Sequence, residues 1–221
     1  MKIQVIIVAG GKGKRMKTEI PKQFLLLKGK PILMHTIELF LPFSKNIFLV
    51  LPKQEIEQWN ALTQKYNFEI PLTIVEGGTE RFFSVQNALN QCSEEGIVLI
   101  HDGVRPLVSK KTIQNVIDKA IENNAAIPVV DIEESLRLLA RKESMAVDRN
   151  KYKLVQTPQA FNTKLIKESY QQEYIPQFTD DASVFEAAGF SVFLVQGNKE
   201  NIKITTPKDL YLSEFLQKSE F

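Results

Sequence analysis

The chain opens on a short run rich in branched apolar residues, Ile3–Val8 (IQVIIV). Such a run, followed by glycines, predicts a strand buried on both faces, as in a parallel sheet. The pattern returns in Asn46–Leu51 (NIFLVL), Leu72–Gly78 (LTIVEGG, ending in a glycine turn), Gly96–Ile100, Ala125–Val130 (AAIPVV) and FSVFLVQG near the C-terminus. Between these runs apolar residues recur at helical spacing. Pro31–Phe43 has Pro at the first helical position, Gln54–Tyr66 reads as an exposed helix with Trp59 as packing, and Ser84–Gln91 begins another. Ser109–Asn123, Asn162–Glu173 and Asp180–Ala188 follow, the last with Thr179 as N-cap, and Thr206-Pro207 opens a terminal helix.

Strands alternating with helices predict an α/β fold, a Rossmann-like, mostly parallel sheet with helices on both faces. The pattern breaks over 131–157. There ESLRLLA and MAVDR alternate apolar and polar positions around a polar KES turn, which predicts a β-hairpin. A hairpin standing off the domain exposes apolar residues and a strand edge, and pairing with a second copy would bury both. The expectation is one domain over 1–221, with 131–157 as a protruding β-arm that mediates dimerisation.

The chemistry gathers first after the opening strand, in Val8–Gln23 (VAGGKGKRMKTEIPKQ). Gly10, Gly11 and Gly13 let the backbone approach a ligand closely. Lys12, Lys14, Arg15, Lys17 and Lys22 crowd cations around it. A strand, a glycine turn and clustered cations form a concavity suited to phosphate; the competing reading is a tight turn with a solvated basic rim. Neither standard phosphate loop fits. A P-loop counted from Gly10 puts Arg15 where its second glycine belongs, and the dinucleotide fingerprint has Met16 in place of its third glycine. Asp102 stands just past the carboxyl end of the Gly96–Ile100 strand, where open α/β sheets collect ligands. A carboxylate facing a phosphate loop suits Mg²⁺, which takes one or two carboxylates plus substrate phosphates. The alternatives are a helix cap near Ser109 or a pair with Arg105. His35 and His101 are the two histidines; His35 reads as packing or capping, and without a Cys/His cluster a zinc site is not expected.

Several blocks, in order, carry a resemblance: GGxGxRM with PKQF, then EGGTERFFSV, HDGVRP, VDRN, QTPQAF, TDDAS and NIKIT. Spread over nearly the whole chain, they resemble the sugar-phosphate nucleotidylyltransferases, in particular the methylerythritol phosphate cytidylyltransferase family. The resemblance implies CMP transfer from CTP to a sugar phosphate with loss of pyrophosphate, in isoprenoid precursor synthesis. It implies Mg²⁺ and a homodimer whose arms reach the partner's site. Arg15 and Lys22 would contact the α-phosphate, and Arg149 and Lys203 would position the sugar phosphate. Ala9, Gly10, Gly78, Thr79 and Ser84 would contact cytidine, with Gly11, Gly13, Asp102 and Gly103 also on the nucleotide. Arg105 and Ser135, the latter in place of the family's usual Thr, would serve the acceptor, with Thr157 supporting. Thr79 departs from the more common acidic residue, Val8-Ala9-Gly10 from Pro-Ala-Ala, and Gly103-Val104 from Ala-Ala. Ribitol-5-phosphate cytidylyltransferases resemble the chain nearly as well in two blocks, but VDRN followed by KYKLVQTPQ favours the methylerythritol family. A catalytically inactive nucleotide-binding module would be expected to lose the cations, and Arg15, Lys22, Arg149 and Lys203 are all present.

Composition changes this picture little. The chain has 221 residues, 43% hydrophobic and 24% charged, with a net charge of +2. That is an ordinary globular composition with no general nucleic-acid footprint. The single cysteine, Cys92, excludes an internal disulfide, and with it a reducing cytoplasm is the expected home. The N-terminal apolar run is too short for a signal peptide and is followed by lysines, and no stretch approaches the ~18 apolar residues of a membrane span.

Overall fold

The computed structural model describes residues 1–10, 16, 20–140 and 143–217. Gly11, Lys12, Gly13, Lys14, Arg15 and Lys17 of the phosphate-loop reading lie outside the described residues. In chain order the elements are β1 (Ile3–Val8), β2 (Leu26–Leu27), β3 (Lys30–Pro31), α1 (Ile32–Glu38), β4 (Asn46–Leu51), α2 (Lys53–Lys65), β5 (Thr73–Glu76), α3 (Arg81–Gln91), β6 (Ile97–Asp102) and α4 (Lys110–Asn123). Then come β7 (Ala125–Asp131), β8 (Leu136–Ala140), β9 (Glu143–Val147), β10 (Lys153–Val155), β11 (Gln159–Asn162), α5 (Thr163–Ser169), α6 (Asp181–Ala187), β12 (Phe193–Gln196) and α7 (Pro207–Leu216).

Eight strands form the main sheet. β6, β1, β4 and β5 lie side by side in parallel, and β12 runs parallel to β7. β10 and β11 are antiparallel: β11 lies between β6 and β7, and β10 continues along the same edge of β7. The sheet is therefore mostly parallel, as expected. Alternation along β1 sends Val5 and Ile7 into one core and Ile6 and Val8 into the other. The first core holds Leu33, Met34 and Ile37 of α1, Trp59 of α2 and Ile113, Val116 and Ile117 of α4. The second holds Phe82, Val85 and Leu89 of α3, Ile166 of α5 and Val184 and Phe185 of α6. Helices thus cover both faces, which is why the central strands read as continuous apolar runs.

Several boundaries differ from expectation. Asp180, not Thr179, caps α6: its carboxylate accepts from the Ser183 amide at 2.9 Å, and the Ser183 hydroxyl faces the Asp180 amide in a capping box. The helix expected over Asn162–Glu173 is only Thr163–Ser169, with Asn162 as its cap, because the preceding QAFN is a strand. Pro31 caps α1 from outside, and α1 stops at Glu38. α3 starts at Arg81, which puts Ser84 in its first turn. Asp102 is the last residue of β6, not the one beyond it. Thr206 and Pro207 open α7 as expected, in a capping box with Asp209. The hairpin is real, β8 pairing with β9 from Leu136↔Val147 to Ala140↔Glu143. Glu143 and Ser144 belong to β9, so the connection falls at 141–142, outside the described residues.

Candidate active site

Four neighbouring strand ends build the site floor. Just beyond them the Ala9 amide donates to Val50, Gly103 to Val8 and Gly77 to Leu51, at 2.8–2.9 Å. These bonds carry the sheet register one step past the strands and bring Ala9–Gly10, Gly103 and Gly77–Gly78 side by side. Gly103 permits this approach: a Cβ there would stand 2.8 Å from the Ala9 Cβ and 3.0 Å from Leu33 Cδ1.

Over this floor lies a cleft of about 850 Å³, lined by Gly10, Pro52, Glu55, Gly78, Thr79, Arg81 and Ser84 among others. The Ser84 hydroxyl accepts from the Gly78 amide at 3.0 Å and donates to the Glu80 carbonyl at 3.1 Å, fixing the turn into α3. The sequence-predicted cytidine residues Ala9, Gly10, Gly78, Thr79 and Ser84 are thereby gathered at one place. A smaller concavity of about 60 Å³ adjoins it, lined by Gly10, Lys22, Arg81, Asp102 and Lys203 among others. Gly10 and Arg81 line both.

Lys22 reaches this concavity from a short 3₁₀ turn, Lys22–Phe24. Two buried neighbours anchor the turn: Gln23 donates from Nε2 to the Ala9 carbonyl at 3.0 Å and also to Glu55, while Phe24 stacks on Trp59. Burial raises the Glu55 carboxyl above its ordinary pKa, partly countered by Gln23. Lys203 arrives on the NIKIT segment, which is tied down by the Ile204 amide donating to Val104 at 3.0 Å.

Asp102 is the hub. Its Oδ2 accepts from Arg105 Nε at 3.0 Å and lies 3.1 Å from Lys203 Nζ, and Arg81 Nε stands 4.0 Å from Oδ1. Burial pushes the carboxyl up, but Lys203, Arg81 and Arg105 outweigh it and hold it well below the usual carboxylate range. The pairing with Arg105 considered from sequence is thus present. Behind the hub, the Asp102 amide donates to the Thr157 hydroxyl at 3.1 Å, Thr157 Oγ1 lies 3.0 Å from His101 Nδ1, and His101 Nε2 lies 3.1 Å from the Arg105 carbonyl. Thr157 thus bridges the Asp102 backbone and the His101 ring. His35, through Nε2 to the Leu27 carbonyl at 2.8 Å, ties α1 to β2 and lies in neither cavity.

Among the described residues no group of three or more His, Cys, Asp or Glu side chains could hold a metal ion. What the smaller concavity offers a metal, among the described residues, is the ionised carboxylate of Asp102. That suits a cation that takes most of its ligands from substrate phosphates and water, not one held by a protein cage.

Two predicted residues stand apart. Ser135 and Arg149 lie exposed at the arm and line neither cavity; Arg149 donates to the Glu133 carbonyl at the arm's root. Conversely, sequence reasoning gave no role to Arg81, Gln23 or Asp181. Arg81 pairs with Asp181 through two bonds of 2.8 and 2.6 Å and with Asp102. Its signal was there, in the matching EGGTERFFSV block, as a cation at a helix start.

The family model described as IspD, 2-C-methyl-D-erythritol 4-phosphate cytidylyltransferase, matches residues 3–219. A protein of that name from Phocaeicola vulgatus is 53% identical over 98% of this chain and 100% of its own length, and one from Bacteroides fragilis is 51% identical over 96% and 97%. Among solved structures, 2-C-methyl-D-erythritol 4-phosphate cytidylyltransferase from Thermus thermophilus superposes with a TM-score of 0.79 at 31% identity, covering 99% of this chain and 100% of the other. The 4-diphosphocytidyl-2C-methyl-D-erythritol synthase from Anaerococcus prevotii gives 0.83 at 28% identity, covering 99% and 96%. On the full-length match and the shared fold, the chain belongs to the 2-C-methyl-D-erythritol 4-phosphate cytidylyltransferase family.

Proposed function

We infer that this enzyme transfers CMP from CTP to 2-C-methyl-D-erythritol 4-phosphate, releasing pyrophosphate, in the non-mevalonate route to isoprenoid precursors. One observation carries the reading beyond family membership. Lys22, Arg81, Arg105 and Lys203 converge on and around Asp102, beside Gly10 and next to a cleft of nucleotide size.

A phosphate oxygen of the acceptor attacks the α-phosphorus of CTP. The new P–O bond forms as the bond from α-phosphorus to the α,β-bridging oxygen breaks, and that electron pair leaves on pyrophosphate. The nucleophile is already ionised at neutral pH, so no general base is needed. The obstacle is repulsion between about four negative charges on CTP and about two on the acceptor. Catalysis is therefore alignment plus stabilisation of charge developing at the α-phosphate. Lys22, with Arg15, serves that charge. Lys203 and Arg105 hold the acceptor phosphate near Asp102, and Ala9, Gly10, Gly78, Thr79, Ser84 and Gly103 receive the nucleoside, with Gly11 and Gly13 also serving the nucleotide. Asp102 would be the protein carboxylate that holds Mg²⁺, which would supply two positive charges to the phosphates.

The arm completes the reading. On one face of the hairpin Leu136 opposes Val147 and Leu138 opposes Met145, and Leu138 and Met145 are 54% and 57% exposed. An apolar face of that kind suits a second copy, giving a homodimer in which Ser135 and Arg149 serve the partner's acceptor site. CTP and a phosphorylated acceptor are charged metabolites retained in the cytoplasm, which supports a cytoplasmic enzyme.

The test is pyrophosphate release with CTP against methylerythritol 4-phosphate and ribitol 5-phosphate, then UTP with the better acceptor. The methylerythritol substrate should lead in kcat/KM by about 10- to 200-fold or more, the worth of one methyl in a fitted apolar pocket. Equal or reversed values move the enzyme to ribitol phosphate, equal use of UTP removes the cytidine assignment, and no turnover leaves a binding module.

A further inference from the structure

We propose that Arg81 is a positioning residue for this transfer reaction, anchored by Asp181 so that it fixes Asp102 and, through Asp102, the Lys203 ammonium. The inference rests on the function proposed above and assigns a role to a residue pair that function does not yet use.

The argument starts with Asp181, whose side chain is fully buried. A buried carboxylate needs a partner for each oxygen. Arg81 Nη1 donates to Oδ1 at 2.8 Å and Nη2 to Oδ2 at 2.6 Å, and the Tyr170 hydroxyl donates to Oδ1 at 2.6 Å. Burial raises the Tyr170 phenol well above its ordinary pKa, so it stays a donor. Tyr170 is itself held, its carbonyl accepting from Gln86 Nε2 at 2.6 Å and its ring stacked on Phe82. The fork of two parallel bonds sets the plane of the guanidinium. With both Nη atoms turned to Asp181, Nε is the nitrogen left beside Asp102, 4.0 Å from Oδ1.

Asp102 is therefore bonded at one oxygen and faced by a fixed cation at the other. Arg105 and Lys203 take Oδ2 and Arg81 flanks Oδ1. Without Arg81, rotation about the Cβ–Cγ bond would carry Oδ2, and with it the resting place of Lys203 Nζ, out of the concavity that also holds Lys22. A reacting group displaced by about 1 Å costs on the order of 100-fold in rate, so a side chain that touches no substrate still governs turnover. Lysine cannot do this work: it is a point charge without the planar fork. Because Arg81 lines both cavities, a rival role is direct contact with the triphosphate, and because it joins α3 to α6, another is simple stapling of the fold.

The experiment compares Arg81→Lys, Asp181→Asn and the double variant with wild type, using CTP and methylerythritol 4-phosphate, with kcat per folded subunit, KM for CTP and melting temperature measured for each. Both single variants should lose about 10- to 100-fold in kcat, with KM for CTP within about threefold of wild type. The double variant should be no worse than the poorer single one, because the pair acts as one unit. A tenfold rise in KM for CTP at unchanged kcat overturns positioning in favour of triphosphate binding. A lowered melting temperature with unchanged kcat reduces the pair to a staple. If Asp181→Asn fails to fold, Arg81→Lys decides alone: it keeps the charge beside Asp181, and wild-type kcat in it overturns the proposal. Absence of turnover in wild type sinks the functional reading and this inference with it, whereas full turnover in the variants beside an active wild type sinks this inference only.

Discussion

His101 carries its proton on Nε2, because the Arg105 carbonyl it faces can only accept. Nδ1 is then an acceptor, so the Thr157 hydroxyl donates to it and receives the Asp102 amide in turn. Each member of this chain has one role, and the two residues it ties together, Asp102 and Arg105, belong to the hub. Burial lowers the His101 pKa to about 4. In the unfolded chain it is about 6.5, so on acidification the unfolded state takes up the proton first. The stability that neutral His101 contributes is complete above pH ~6.5 and is lost as pH falls towards 4, about 3 kcal/mol in all. Asp102, whose folded pKa is depressed, adds a loss of the same sign only below its unfolded value of ~3.9. Urea melts of the metal-free protein between pH 7 and 4 should show the first loss, and His101→Gln, which keeps an N–H for the Arg105 carbonyl, should flatten it. An equally steep pH dependence in that variant would remove His101 as the cause. At this scale the sequence was informative where a residue belonged to a matching block, as for Lys22, Asp102, Arg105 and Lys203. Arg81 and Asp181 lie in matching blocks too, but their pairing was not legible, because residues 100 positions apart are joined only by the fold.

Elements show the same division between what is local and what is not. The buried parallel strands announced themselves, since burial on both faces leaves an unbroken apolar run. β10 and β11 did not: they are three and four residues long, flank a proline, and owe their strand character to long-range pairing with β6 and β7. The cap of α6 was misplaced by one residue because Thr179 and Asp180 are both good caps and only geometry selects between them. The glycines after β5 were legible as a turn, and the structure gives the reason for one of them. A Cβ at Gly78 would stand 2.3 Å from Phe83 Cβ and 3.1 Å from the Phe83 carbonyl carbon, so an alanine must push the turn away from the first turn of α3. Gly78→Ala should cost about 1–3 kcal/mol of stability and raise KM for CTP. Gly189 makes the contrast: its added Cβ meets open space and only its φ of +88° resists, so Gly189→Ala should cost about 1 kcal/mol and leave KM alone. Melting curves and CTP titration of the two variants check this, and an unchanged KM in Gly78→Ala would detach the turn from the nucleotide.

At the scale of the whole molecule, Arg149 stands away from the cations around Asp102. The hairpin was legible in the sequence, because the shift from long apolar runs to short alternating ones marks where the chain leaves the sheet. What no single chain displays is the destination of the arm. Within one chain Arg149 is exposed, turned to the Glu133 carbonyl, and Lys199 from the segment before NIKIT pairs with Glu133 beside it. An arm with an apolar face and a cation at its root fits a site completed across a dimer, and that arrangement has a consequence for mixing. Lys22→Ala subunits and Arg149→Ala subunits should each form dimers that lose about 10²–10³ in rate. After exchange at equal concentrations, half the dimers are mixed. In each of these, one site carries both defects and the other carries neither. Activity should therefore return to about a quarter of wild type, given random pairing in a two-fold dimer. If Arg149 serves its own chain, every site in the mixture keeps one defect and activity stays at the level of the parents. Exchange is verified with subunits of different mass, so that verified exchange without recovered activity refutes action in trans, and a monomer by sedimentation refutes the dimer itself.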